Sequence, residues 1–345
     1  PGAASGALLP STPHDANRSR HVPSSSRLCI SVGKPLSTLR AIALAGLCLA
    51  VLAPAVAAQE ARSRWERMCT IRAEKFDHVL PVAMRDNDID MWITVMREGS
   101  LDPLWEALGR GYVGDWAFYV FTDRGEGRIE RAALGASGAM LEGCGVYDHV
   151  LGADALAEFV RERDPQRIGV NMAESIGNAV GLSHTAYLRL RETNGGPWAD
   201  RLVSAEKLIS DFRSIRTTIE LGAFAEAAEM SREIAERALS NEVITPGATK
   251  LEDVAWWMWD RLLERGLDSS FDMPSVYITG PEGIEAVSSD RVIQRGDLLM
   301  IDWGVGFLDL YTDMKRVAYV LREGESEVPA SLRHAYQQGV DARAV

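Results

Sequence analysis

The sequence predicts an α/β (α+β) protein built in two parts. Three observations carry this. Its 345 residues are enough for about two domains. Hydrophobic residues make up 46% of it, as in ordinary packed cores. Before a Gly-Gly-Pro break at residues 195–197, short apolar runs of strand length alternate with helical repeats; beyond it, two long helices precede a series of strands.

The front of the chain is expected to lie outside both parts. Residues 1–35 are rich in Ser, Pro, Gly and Arg without a hydrophobic period, so they are expected to be disordered or upstream of the true start. Residues 36–58 carry the pattern of a signal peptide: Arg40, an apolar run over 41–53, and the small-x-small site Ala55-Val56-Ala57. The run is shorter than the ~20 residues of a membrane span. No stable span is therefore expected after cleavage at Ala57 or Ala58, with an uncleaved anchor as the alternative. Cys48 lies in the run, but Ala45-Gly46-Leu47 before it makes a poor lipoprotein box. The expected location is exported, periplasmic or secreted. Pro1 at the front, and a last segment with no Gly or Pro to stop it, suggest that both ends are cuts. After cleavage only Cys69 and Cys144 remain. They are either a disulfide or two separate small buried residues. Neither has a Cys or His at zinc spacing.

The first part spans residues 59–200. A helix is expected over 62–85, with Trp65, Met68, Ile71 and Phe76 near helical spacing. Residues 90–95 form a buried strand and 117–121 a second, stopped by Asp123, Gly125 and Gly127. Residues 128–134 can pair with it as a hairpin. A short helix over 153–163 ends before Pro165, and 167–171 is another strand. The boundary is placed near residue 200.

The second part spans residues 204–345. Thr217 and Glu220 have the spacing of a capping box, in which each side chain satisfies a free amide at a helix start, and that helix runs to about residue 240. After Pro246-Gly247, Thr249 and Glu252 make a second such box. The helix behind it carries Trp256, Trp257 and Trp259 and ends at Gly266; the three indoles are expected to pack in a core or between domains. Strands follow at 275–278, 297–303 and 313–321, then a helix after Pro329 with Leu332, Tyr336 and Val340 on one face.

A net charge of -12 argues against a nucleic-acid partner, which needs a basic face. The chemistry lies elsewhere. Asp302 ends the apolar strand 297–303, and Asp313 opens the next strand eleven residues on. A hairpin would bring both carboxylates together. Such a pair repels unless a cation or a proton holds it, and divalent metals that prefer oxygen suit it. Lys315 or Arg316 could instead pair with one Asp as a simple salt bridge.

At these residues the sequence resembles the pita-bread metallopeptidases: Xaa-Pro aminopeptidase, prolidase and creatinase. The matching motifs are Gly296-Asp297, Asp302, and Tyr311-Thr312-Asp313-Met314-Lys315-Arg316, preceded by Ile244-Thr245-Pro246-Gly247-Ala248-Thr249 with Glu252. The resemblance covers nearly all the mature chain. It implies a creatinase-type N-terminal domain over 59–200 and the first half of a pita-bread domain over 204–345. It also implies Asp302 and Asp313 as ligands of two divalent metals, manganese first, with cobalt or zinc as alternatives. The remaining ligands, a His and two Glu, would lie beyond Val345. A catalytic His expected before Gly296-Asp297 is not found, since no His occurs between His184 and His334; Glu282 or Glu285 are the stand-ins to consider. His149 and His184 are expected to be solvated or satisfied in a core.

The resemblance implies an exported peptidase of Xaa-Pro aminopeptidase type, acting on peptides with proline second, and a homodimer is compatible with it. No further cofactor is expected. The alternative is a non-catalytic pita-bread module that binds a peptide or protein, which fits the missing His. A creatinase-like hydrolase without metals is disfavoured by the intact Asp pair. Half a pita-bread fold leaves strand edges open, so residues 59–345 alone are expected to express poorly and to be inactive, without a metal pair.

Overall fold

The computed structural model describes residues 60–344. The expectations for residues 1–35 and 36–58, Cys48 included, lie outside the described residues. Among the described residues no helix is long and apolar enough to cross a membrane.

The expected first helix is a continuous run of three pieces: α1 (residues 60–74), a π-helical turn over Lys75–Val79, and α2 (Leu80–Asp86). Next come β1 (Met91–Met96), the one-turn α3 (Trp105–Leu108), β2 (Tyr112–Asp123) and β3 (Ile129–Ser137). The one-turn α4 (Ala139–Glu142), β4 (His149–Leu151), α5 (Leu156–Arg163), β5 (Ile168–Val170), α6 (His184–Asn194), β6 (Leu202–Ser204) and α7 (Glu206–Ser214) follow. Six strands form one mixed sheet in the order β4-β3-β2-β1-β5-β6. β2 and β3 are the expected hairpin, while β5 lies parallel to β1. β1 is buried at every position because helices cover both faces of the sheet. Trp92, Met96, Tyr119 and Phe121 pack with Phe76, Leu80, Met84, Leu208 and Phe212 on one side. Ile93, Val95, Phe118 and Val120 pack with Leu156, Phe159, Val160 and Leu190 on the other. Each such burial is worth roughly 1.5–3 kcal/mol. β6 and α7 lie past residue 200 and belong to this sheet and its core.

Cys69 and Cys144 form a disulfide with Cα atoms 5.1 Å apart, so of the two alternatives open in the sequence the structure takes the bridge. It ties α1 to the segment after α4.

The second part opens with α8 (Thr218–Ala238), and its capping box has both halves: Thr217 N–H donates to Glu220 Oε2 at 2.8 Å and Glu220 N–H to Thr217 Oγ1 at 3.4 Å. The second box is shifted by one residue. α9 spans Leu251–Arg265, and the Asp253 carboxylate, not Glu252, accepts from the Lys250 N–H at 2.9 Å. The Thr249 hydroxyl instead accepts from Thr245 N–H and so closes the preceding loop. Of the three tryptophans, Trp257 packs against the core as expected, and Trp256 departs from expectation. The buried stripe of α9 is Leu251, Val254, Ala255, Met258 and Leu262, which leaves Trp256 on the opposite face, 57% exposed. Trp257 sits between the Arg237 and Arg261 guanidinium groups, 5.2 and 5.0 Å from its ring. Gly266 ends the helix in the left-handed conformation, φ 58°.

Beyond it lie β7 (Asp268–Ser269), β8 (Ser275–Gly280), β9 (Gly283–Val287), β10 (Leu298–Trp303), β11 (Val305–Phe307), β12 (Leu310–Tyr311), β13 (Met314–Tyr319) and α10 (Ala330–Arg343). Four strands make an antiparallel sheet in the order β13-β10-β8-β9, and β12, β11 and β7 make a small second one. Val276, Ile278, Leu299, Ile301 and Trp303 pack with α8 and α9 residues. The alternate residues Tyr277, Met300 and Asp302 are only half-buried, so this sheet has one covered face and one open face.

α1 joins the two parts. Arg64 donates to the carbonyls of Gly266 and Arg265 at 2.7 and 2.9 Å, Arg67 pairs with Glu226, and both guanidinium groups stack over Phe307. Lys75, on the π-helical turn, donates to Ile215 O at 2.6 Å and lies 3.4 Å from Glu220.

Candidate metal centre

β10 and β13 pair with Asp302 opposite Lys315 and Trp303 opposite Met314. The next step of that ladder sets Gly304 beside Asp313. Side chains alternate along a strand, so Asp302, Lys315 and Asp313 share the open face. Strand pairing thus does what the eleven-residue spacing predicts: both carboxylates arrive on one side of the sheet. They also converge on one positive charge. Lys315 Nζ lies 2.9 Å from Asp302 Oδ1 and 3.1 Å from Asp313 Oδ1. The two carboxylates, Asp302 first, raise the Lys315 ammonium above its ordinary pKa, which keeps it charged.

The segment between the two Asp is held by groups that sequence reasoning gave no role. Gly304 lets the chain close: a Cβ there would lie 1.7 Å from Thr312 O and 2.6 Å from Ser270 Oγ. Thr312 is buried. Its hydroxyl accepts from Val305 N–H at 2.8 Å and shares a 2.7 Å hydrogen bond with Ser231 of α8. Ser270 Oγ donates to Thr312 O at 2.6 Å. Asp313 therefore projects from a residue anchored to a helix, on a rigid base. Thr312 stands inside the recognised motif, which is the signal for it; Gly304 lies outside the motif's named residues, and Ser231 lies 81 residues from Thr312 and has no signal.

The residues fit part of a metal site. Asp302 and Asp313 present two carboxylates on one open face, with the Lys315 ammonium between them. Oxygen donors of this kind suit hard divalent ions. Among the described residues, however, no group of three or more His, Cys, Asp and Glu side chains gathers in metal-binding fashion. The pair thus fits two ligand positions and does not complete a site.

The stand-ins for the catalytic His are not brought to the pair. Ser275, at one end of β8, faces Asp302, whereas Gly280 and Gly283, at the β8–β9 turn, are at the other end. Five residues of strand span about 17 Å, and the Glu285 carboxylate lies against Gly280. His149 is satisfied by Glu130, 3.0 Å away in the first part. One step along the open face from Asp302, Met300 sits between Val317 and Tyr277 in the ladder.

The described residues form a layered α/β part joined to a helix-backed antiparallel sheet that carries an acidic pair on its open face. Residues 222–343 match the model of Metallopeptidase family M24, so the resemblance to the pita-bread metallopeptidases holds, and both Asp302 and Asp313 lie within the matched stretch. The chain is similar in fold to an Xaa-Pro dipeptidase from Bacillus anthracis, at 20% identity over 80% of this chain and 70% of that one, TM-score 0.53. It is likewise similar to an X-Pro aminopeptidase from Thermotoga maritima MSB8, at 17% identity over 76% and 70% of the two chains, TM-score 0.56. Among curated proteins none matches.

Proposed function

We propose that this protein is an exported metal-dependent peptidase of Xaa-Pro aminopeptidase type, cutting the N-terminal bond of peptides with proline at the second position. The observation that carries the reading is that strand pairing brings the Asp302 and Asp313 carboxylates to one open face of the sheet, inside the stretch that matches Metallopeptidase family M24. In this reading Asp302 and Asp313 hold the metals, and Thr312, through Ser231 and Val305, keeps Asp313 aimed. Two divalent ions, manganese first and cobalt or zinc as alternatives, supply when bound a water acidic enough to attack a peptide carbonyl. The strip of Tyr277, Met300 and Val317 offers apolar surface beside the carboxylates, suited to the ring of a proline or its neighbour. Export is supported by the Cys69–Cys144 bridge, since disulfides persist in oxidising compartments, and by the pattern of residues 36–58.

A second reading, a non-catalytic module that binds peptide or protein, is favoured by the Lys315 ammonium standing between the carboxylates. The experiment that separates them is an assay of the full-length protein with manganese on Xaa-Pro peptides, alongside Asp302→Asn and Asp313→Asn. The peptidase reading expects release of the first residue by the wild type and its loss in both variants. Absent cleavage with manganese shown to be bound removes the peptidase and leaves the binder.

A further inference from the structure

We propose that the Lys315 ammonium is a resident counter-ion that a divalent metal must displace from the Asp302–Asp313 pair, so that this one side chain sets how tightly the protein takes up metal. The inference rests on the reading of those two residues as metal ligands. Three observations lead to it. Lys315 Nζ contacts both carboxylates, at 2.9 and 3.1 Å, in the place where a shared cation would sit. Its side chain is 54% exposed, so the flexible stem can swing into solvent without unpacking anything. No neighbouring cation is set to take its place: Arg316, on the other face of β13, donates to the Lys315 carbonyl.

The physics is competition. Two carboxylates on one face repel each other, and the ammonium removes that repulsion in the metal-free protein. A dication arriving at the same oxygens meets the ammonium at a few ångströms. Even at the dielectric constant of water, that repulsion weakens binding by about thirtyfold at 4 Å. Lys315 must therefore leave, and its exposed ion pairs are weak enough to allow this. The sequence carries its own switch between a salt-bridged pair and a metal-loaded one.

The test measures manganese binding to metal-stripped, full-length protein by electron paramagnetic resonance of the free ion at fixed pH. Wild type is compared with Lys315→Met, similar in length and uncharged, and with Lys315→Arg, which keeps the charge. We expect Lys315→Met to bind at least about tenfold more tightly, with Lys315→Arg close to wild type. Equal affinities for wild type and Lys315→Met would overturn the inference and leave the metal reading standing. No uptake by any of the three would overturn both. A second measurement needs no variant: acylation of Lys315, followed by peptide mass spectrometry, should speed up under saturating manganese as the amine is released. An unchanged rate would sink the proposal.

Discussion

Gly304 carries the tightest constraint at the site. Its missing Cβ is what allows Thr312 O to approach, and a methyl there would overlap that oxygen. Gly304→Ala must push β10 and the segment before β13 apart, breaking the hydrogen bonds of Thr312 to Ser231 and Val305. Overpacking of this kind costs about 1–3 kcal/mol. The expected outcome is a lower urea midpoint with an unchanged m-value, together with weaker manganese binding, because Asp313 follows Thr312 directly. Lys315 shows how far residue-level reading reaches. The sequence shows that it stands near the pair, and names it as a salt-bridge partner for one Asp. That it lies between both follows from the register Asp302–Lys315, and register is set by how the intervening residues 303–314 turn, which no local pattern states.

Those intervening residues are not a plain connection but an element of their own. β11 and β12 form a small hairpin whose two turn residues, Leu308 and Asp309, both take positive φ, 52° and 58°. This is the geometry of a tight hairpin turn, normally given to Asn and Gly. Leu308 and Leu310 pack with Met68 and Ile71 of α1, so the hairpin docks the second part onto the first. Docking buries Asp309, and burial pushes its carboxyl up from 3.8 to about 6. The folded protein thus holds this proton more tightly than the unfolded chain does. The associated stability is fully present below the unfolded value of 3.8 and is lost as pH rises through 6. Asp309→Asn should flatten the fall in melting temperature between pH 4 and 6 and leave a more stable protein at pH 7; an unchanged slope would show that Asp309 does not sit in a dehydrated site. Elements with strong periodicity were legible: β10 from its apolar run, α8 from its capping box, the β2–β3 hairpin from its Gly-bounded turn. The start of α9 was not, because Thr249/Glu252 and Lys250/Asp253 offer overlapping caps, and packing of Leu251 and Val254 chooses the second.

Across the whole molecule, one helix does much of the joining. α1 carries Cys69 to its bridge, Arg64 and Arg67 to the second part, and leads into the turn where Lys75 reaches Ile215 and Glu220. The bridge closes a segment of 75 residues, so replacing both Cys69 and Cys144 by Ser should lower stability by about 2–5 kcal/mol. Denaturant titration of oxidised, reduced and doubly substituted protein would show it, and reduced wild type should match the double variant. Identical midpoints for all three would mean that the bridge does not form in the folded protein. The Cys pair is a fair measure of legibility at this scale. Two cysteines behind a segment with the pattern of a signal peptide leave the bridge open as an alternative, but only the packing of α1 against the segment after α4 brings them to bonding distance.

That Asp302 and Asp313 together bind a divalent metal is the claim that everything functional depends on. Anomalous diffraction at the manganese edge, from crystals of the full-length protein grown with excess manganese, tests it most directly. The account predicts a manganese peak in contact with carboxylate oxygens of both Asp302 and Asp313, with the Lys315 side chain swung away. A saturated crystal with no peak at that position, and Lys315 still bridging the pair, would contradict it.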